Sequence, residues 1–130
     1  MASGIVPNPT VLVVDDEALI RWSLSAGLSD GGYEVRLAGS AAEARSTLAS
    51  SANAPVIVVL DLRLPDVTDF SFLREVRRTR PDCPVLMMSA HGTPEDAEEA
   101  TRLGVTHFVG KPFDVAEMVK LVGEIWSARA

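Results

Sequence analysis

Val11-Leu12-Val13-Val14-Asp15-Asp16 is an apolar run of strand length that stops on a pair of carboxylates. The same construction recurs downstream: Val56 to Leu60 leads into Asp61, Val85 to Met88 into Ser89, and Val105 to Val109 into Gly110-Lys111. In an open α/β sheet, ligands bind in the crevice outside the carboxyl ends of the parallel strands. Residues that follow such runs therefore converge in one place, although they are scattered along the chain. Three carboxylates and one ammonium gathered in a crevice call for a metal ion.

Segments of helical period separate these runs. Ile20, Ser23, Leu24, Gly27 and Leu28 share a stripe at offsets of three, four, seven and eight, and Gly31-Gly32 stops it. Tyr33 to Ala38 reads as the second strand, and Ser40 with Glu43 as a capping box opening a helix through about Ala49. Ser50 to Pro55 is polar and loop-like. After Asp61 a loop with Pro65 leads to a helix from about Phe70 to Arg80, with Phe72, Leu73 and Val76 toward the core. Thr93 as N-cap and Pro94 at the first helical position begin the next helix, which Gly104 ends. Asp114 caps a last helix in which Met118, Leu121, Val122 and Ile125 share a face. Strands and helices alternating strictly five times predict a flavodoxin-like three-layer α/β/α sandwich, a parallel sheet in the order 2-1-3-4-5.

Composition narrows the function. The 130 residues suit one domain, read as a folded unit over residues 11–126 with a flexible leader at 1–10 and a tail or start of linker at 127–130. No apolar run approaches the roughly 20 residues that span a bilayer. Met1 to Thr10 lacks the basic and apolar regions of a signal peptide, so the expected location is the cytoplasm, without membrane contact. A net charge of −6 argues against direct nucleic-acid binding by this segment. The basic stretch Arg77-Arg78-Thr79-Arg80 reads instead as a solvated face at the carbonyl end of a helix. Cys83 is the single cysteine, which excludes an intrachain disulfide and looks structural.

The convergent residues suit phosphoryl transfer. Mg²⁺ takes oxygen ligands and is commonly held by one or two carboxylates together with phosphate oxygens; Asp15, Asp16 and Asp61 supply such a set. Asp61 can be a nucleophile giving an acyl phosphate, Lys111 a point charge on one phosphoryl oxygen, and Ser89 a hydroxyl donor to another. Ala90, small and adjacent, leaves room for the group to enter. Of the twelve basic residues only two are lysines, and one stands in Gly110-Lys111-Pro112, where a cis peptide would aim it inward. Neither G-x-x-x-x-G-K-[ST] nor G-x-G-x-x-G occurs, which disfavours a nucleotide-binding enzyme. A G-x-S-x-G turn is absent too, and neither His91 nor His107 adjoins an evident nucleophile.

Four motifs in order, Val13-Val14-Asp15-Asp16-Glu17, Leu60-Asp61-Leu62-Arg63-Leu64-Pro65, Met88-Ser89-Ala90 and Lys111-Pro112-Phe113, make residues 11–126 resemble the CheY-like receiver domain of bacterial two-component response regulators. The resemblance implies Mg²⁺-dependent transfer of phosphate from a histidine kinase to Asp61. It implies metal binding by Asp16, Asp61 and the backbone carbonyl of Arg63 directly, and by Asp15 through water. It also implies a switch through Ser89 and Phe108 that alters the face made by the fourth helix, fifth strand and fifth helix. That face would engage an output domain, a downstream protein or a second copy in a homodimer. Such a protein is a regulator that catalyses only its own phosphorylation and dephosphorylation. Ser89-Ala90-His91-Gly92 and Gly110-Lys111-Pro112-Phe113-Asp114 resemble receivers of the nitrogen-regulation (NtrC) type, in which the output is transcriptional.

The chain departs from the family pattern at Asp69, where many relatives carry glycine; aspartate tolerates left-handed backbone, so the turn is expected to survive. Arg63 and His91, two residues past Asp61 and Ser89, occupy positions that modulate phosphate lifetime in relatives. Two rivals remain: a receiver-like interaction module that takes no phosphate, and a phosphatase of the haloacid dehalogenase kind. The second needs an aspartate two residues beyond its nucleophile, where Arg63 stands. Intact acidic residues, Ser89 and Lys111 favour the switch over the first.

Overall fold

In the computed structural model, which describes residues 9–50 and 55–128, strands and helices alternate throughout. They are β1 (Thr10–Val14), α1 (Ala18–Asp30), β2 (Glu34–Ala38), α2 (Ala41–Ala49), β3 (Ile57–Asp61), α3 (Ser71–Thr79), β4 (Val85–Ser89), α4 (Pro94–Arg102), β5 (His107–Gly110) and α5 (Val115–Ala128). The five strands form one parallel sheet in the order β2-β1-β3-β4-β5, the flavodoxin-like order expected. Residues 1–8 of the expected leader (1–10), 51–54 of the Ser50 to Pro55 segment and 129–130 of the expected tail (127–130) lie outside the described residues.

Side chains of the central strands alternate between two cores, as the period of two requires. Leu12, Val14, Val58, Leu60 and Met87 pack with Ala41, Ala44, Phe72, Leu73, Val76 and Ala100 on the side of α2, α3 and α4. Val11, Val13, Ile57, Val59, Leu86 and Met88 pack with Leu24, Leu28, Met118, Val122 and Ile125 on the side of α1 and α5. Burying each of these side chains contributes roughly 1.5–3 kcal/mol, so both faces of the sheet's centre are held by packing. Gly27 explains how closely α1 and α5 approach: a Cβ there would lie 2.7 Å from Val115 Cγ1 and 3.2 Å from Val119 Cγ2. Leu121, expected on the same face of α5, is half-buried and packs against that core.

Several boundaries differ from the sequence reading, each for a local reason. β5 begins at His107, not Val105, because the Val105 amide bonds back to the Ala100 carbonyl (3.1 Å) across Gly104 at φ +98°. β2 begins at Glu34 because the Tyr33 amide satisfies the Leu28 carbonyl (3.1 Å) at the end of α1. β3 and β4 include Asp61 and Ser89 as their last residues, with Asp61 paired to Met88. β1 starts at Thr10, and α5 continues through Ala128, past Trp126.

The capping box lies elsewhere than expected. Ser40 Oγ accepts from the Glu43 amide (3.1 Å), but Glu43 Oε1 accepts from Gly39 N (2.7 Å) instead of closing the box on Ser40. The full box is Thr93 with Asp96, at the start of α4. Asp66, in the β3–α3 loop, accepts from the amides of Ala41 (2.9 Å) and Ala42 (3.0 Å) at the start of α2, and these bonds hold its carboxyl below the ordinary value. Asp69 accepts from the Ser71 amide (3.0 Å), which gives that departure from glycine a role at the start of α3.

The basic stretch is not wholly solvated. Arg77 donates to the Cys83 carbonyl (3.2 Å) and Arg80 to the Pro55 carbonyl (2.8 Å), both half-buried, while Arg78 is exposed. Buried Cys83 lies against the same loop, its Sγ 3.6 Å from the Pro55 carbonyl.

Candidate functional site

Asp15 follows β1, Asp61 closes β3, Ser89 closes β4 and Lys111 follows β5, so the rigid centre of the sheet presents all four at its carboxyl edge. Asp15 and Ser89 are buried almost completely, and Asp61 is 5% exposed. Asp16 is exposed at the rim. Carboxylate oxygens of Asp15, Asp16 and Asp61 all lie within 4.8 Å of one another.

Lys111 provides the opposing charge. Its Nζ stands 2.7 Å from Asp15 Oδ2, 3.1 Å from Asp61 Oδ2 and 3.2 Å from Glu17 Oε1, with its side chain 8% exposed. The Lys111 amide donates to the Ser89 carbonyl (2.8 Å), extending the β4–β5 ladder, and the Lys111-Pro112 peptide is cis. By its distances to Asp15 and Asp61, the lysine points into the acidic cluster, as the sequence led one to expect.

Burial and the neighbouring Asp15 charge raise the Asp61 pKa above the ordinary value, against the pull of Lys111 and the Arg63 amide. Burial alone would lower the Lys111 pKa, but its bonds to Asp15 and Asp61 outweigh that and raise it. Asp15 Oδ1 accepts from the Glu17 amide (2.8 Å), whereas buried Asp15 Oδ2 is paired with Lys111 Nζ at 2.7 Å and, among the described residues, has no aligned hydrogen-bond donor. A buried, under-donated carboxylate oxygen beside two more carboxylates is the donor set of a hard cation.

The remaining expected residues surround this cluster. The Arg63 amide approaches Asp61 Oδ1 at 3.4 Å while its side chain is exposed. Ala90 and His91 are exposed at the mouth, and the His91 amide bonds to Ser89 Oγ (3.3 Å). Phe108, half-buried, lies over the loop after β4: a Cβ on Gly92 would come within 2.6 Å of its Cε1 and 3.2 Å of Ser89 Cβ. Gly92→Ala is therefore expected to dislodge the Phe108 ring or cost about 1–3 kcal/mol. Unshifted Phe108 ring resonances with an unchanged denaturation midpoint would show the packing to be looser than described. His107 sits at the opposite end of β5 from Lys111, outside the site.

Two participants escaped the sequence reading. Glu17 appeared only as part of a motif, yet it is a partner of Lys111 across 94 residues of chain. Arg21 Nη1 donates to the Asp15 carbonyl (2.7 Å), a contact without any signal in composition or periodicity.

Comparison with known proteins accounts for this constellation. Residues 11–123 match the response regulator receiver domain. The chain belongs to that family. The receiver is 39% identical over 114 residues to the DNA-binding transcriptional regulator NtrC of Rhizobium meliloti, covering 88% of this chain and 23% of that protein. It thus spans about a quarter of the length of such curated relatives. The receiver domain of NtrX from Brucella abortus is 39% identical and superposes with a TM-score of 0.77, over 88% of this chain and 94% of the other. A CheY-like receiver from Methanospirillum hungatei, 22% identical, shares the fold with a TM-score of 0.86, over 93% of this chain and 95% of that one. The likeness to NtrC and NtrX agrees with the nitrogen-regulation type read from the motifs around Ser89 and Lys111. The receiver is accordingly a regulatory module of phosphorelay signalling, not a classical enzyme. Among the described residues no helix is long and apolar enough to cross a membrane.

Proposed function

We propose that Asp61 accepts a phosphoryl group from the phosphohistidine of a cognate histidine kinase, with Mg²⁺ held by Asp15, Asp16, Asp61 and the Arg63 carbonyl. The observation that carries this reading is the Lys111 ammonium lying between Asp15 and Asp61, with the Asp16 carboxylate at the open side. In the transfer, an Asp61 carboxylate oxygen attacks phosphorus and the phosphorus–nitrogen bond of the donor breaks. The electron pair stays on the imidazole nitrogen, which takes up a proton. A bound divalent cation would neutralise charge on the phosphoryl oxygens.

The chain's own residues do the rest. Burial keeps Asp61 more basic than a solvated carboxylate. Lys111 exchanges its hold on Asp61 for a phosphoryl oxygen, and the Ser89 hydroxyl and the space beside Ala90 receive the others. A phosphoryl group adds close to two negative charges and three acceptors, drawing Ser89 inward and vacating room for Phe108 to bury. The face of α4, β5 and α5 would then report the state to an output domain, transcriptional as in the DNA-binding regulators of the NtrC kind that the chain resembles, or to a second copy. This reading places the protein in the cytoplasm, where the kinase's phosphohistidine is presented.

Incubation with acetyl phosphate and Mg²⁺ should give a slower species on a phosphate-affinity gel, and chelation should abolish it. No slower species under either condition would favour the rival reading of a binding module without phosphotransfer. Arg63, whose exposed side chain flanks Asp61, is expected to set the lifetime of the acyl phosphate. Arg63→Ala should change its decay several-fold in a phosphate-release assay, and an unchanged rate would remove that role.

A further inference from the structure

We infer that Arg21 is a positioning residue for the metal site, holding the peptide that aims Asp16 at the cation. The inference rests on the proposed Mg²⁺ site. Asp15 is fixed by burial, by Lys111 and by the Glu17 amide. Asp61 is fixed within β3 by the sheet and by Lys111. Asp16 has neither kind of support: it is exposed, and among the described residues no hydrogen bond or ion pair holds its carboxylate. Its approach to within 4.8 Å of the other two is therefore set by the backbone of the β1–α1 turn.

That backbone is clamped from one side. Side chains on a helix lean toward its N-terminus, so Arg21, in the second turn of α1, reaches back over the turn. Its Nη1 donates to the Asp15 carbonyl at 2.7 Å. This carbonyl belongs to the peptide joining Asp15 to Asp16, and fixing it fixes the direction in which Asp16 leaves the strand. Gly39, at the end of β2, makes room for the arm: a Cβ there would stand 3.1 Å from Arg21 Nη1 and 3.6 Å from Glu43 Oε1. Arg21 is half-buried, its guanidinium lying against Asp15 and Gly39, the residues that follow β1 and β2, without itself belonging to the acidic cluster.

A second role for Arg21 predicts the opposite result. As a positive charge on the peptide that joins two of the proposed ligands, it would oppose a cation, and its removal would tighten Mg²⁺ binding. Partners that orient metal ligands typically change affinity by 10–100-fold when lost. We therefore expect the positioning effect to outweigh the charge effect.

Calorimetric titration of the full chain with Mg²⁺, comparing native protein with Arg21→Met and Arg21→Lys, separates the two. Positioning predicts binding about tenfold weaker in Arg21→Met, with Arg21→Lys between it and the native protein. Acetyl phosphate kinetics should show the half-saturating Mg²⁺ concentration raised in Arg21→Met and the rate at saturating Mg²⁺ near native. A purely structural role would lower both binding-competent fraction and rate without moving that half-saturation. Mg²⁺ binding in Arg21→Met as tight as native, or tighter, would overturn the inference. Should Arg21→Met fail to fold, unchanged affinity in Arg21→Lys would overturn it equally. Absence of Mg²⁺ binding by the native protein would remove the proposed site together with this role, whereas native binding with unaffected variants removes this role alone.

Discussion

Lys111→Met is expected to cost the metal-free receiver about 3–5 kcal/mol of folding stability, the range for breaking a buried ion pair from one side. The side chains of Lys111, Asp15 and Asp61 are 8%, 0% and 6% exposed, so solvent cannot replace the lost ammonium. Protonation is the remaining relief. Asp61 already has a pKa above the ordinary carboxylate value of 3.8 through burial and the Asp15 charge, and losing Lys111 raises it further. A carboxyl raised in the folded state stabilises the fold below its unfolded pKa and loses that contribution as pH climbs through the folded one. The deficit of the variant should therefore be larger at about pH 8 than at about pH 5. Added Mg²⁺ should recover part of it, because a ligand that binds only the folded state stabilises it. Urea denaturation at both pH values, with chelator and with Mg²⁺, checks each statement. A deficit below about 1 kcal/mol, typical of exposed pairs, and independent of pH would contradict the buried cluster.

Asp61→Asn should abolish phosphate incorporation completely while leaving the fold intact. Asparagine keeps the volume and one carbonyl oxygen, but its amide is no nucleophile toward phosphorus. The same change removes a desolvated charge beside Asp15, so the metal-free variant should melt above the native protein. Its rise in melting temperature on adding Mg²⁺ should shrink, because one carboxylate of the donor set is gone. Undiminished incorporation in this variant would move the acceptor to another residue. A native-sized Mg²⁺ response would remove Asp61 from the metal site.

Much of this site was legible in the sequence because parallel strands deliver their last residues to one edge. Asp15, Asp61, Ser89 and Lys111 each announce themselves as a polar residue closing or following an apolar run. Strand limits were less legible, since the helix exits at Gly32 and Gly104 consume the amides of Tyr33 and Val105, which an apolar pattern assigns to strands. Contacts made only through space left no trace: Asp66 against the start of α2, Arg45 against Glu75, and Arg21 against the Asp15 carbonyl. An arginine on a helix surface reads as solvated until the fold shows which carbonyl it reaches. The capping box was misplaced for a related reason. Glu43 had Gly39 within reach as well as Ser40, and short motifs do not choose between adjacent amides.

Peptide mass mapping of the chain after acetyl phosphate, with Mg²⁺ and with chelator, tests most directly whether the cluster around Lys111 builds a metal-dependent phosphoacceptor. One phosphoryl group on the peptide that contains Asp61, present with Mg²⁺ and absent with chelator, is the result expected. Phosphate on a different residue, or equal labelling of Asp61 in chelator, would contradict it.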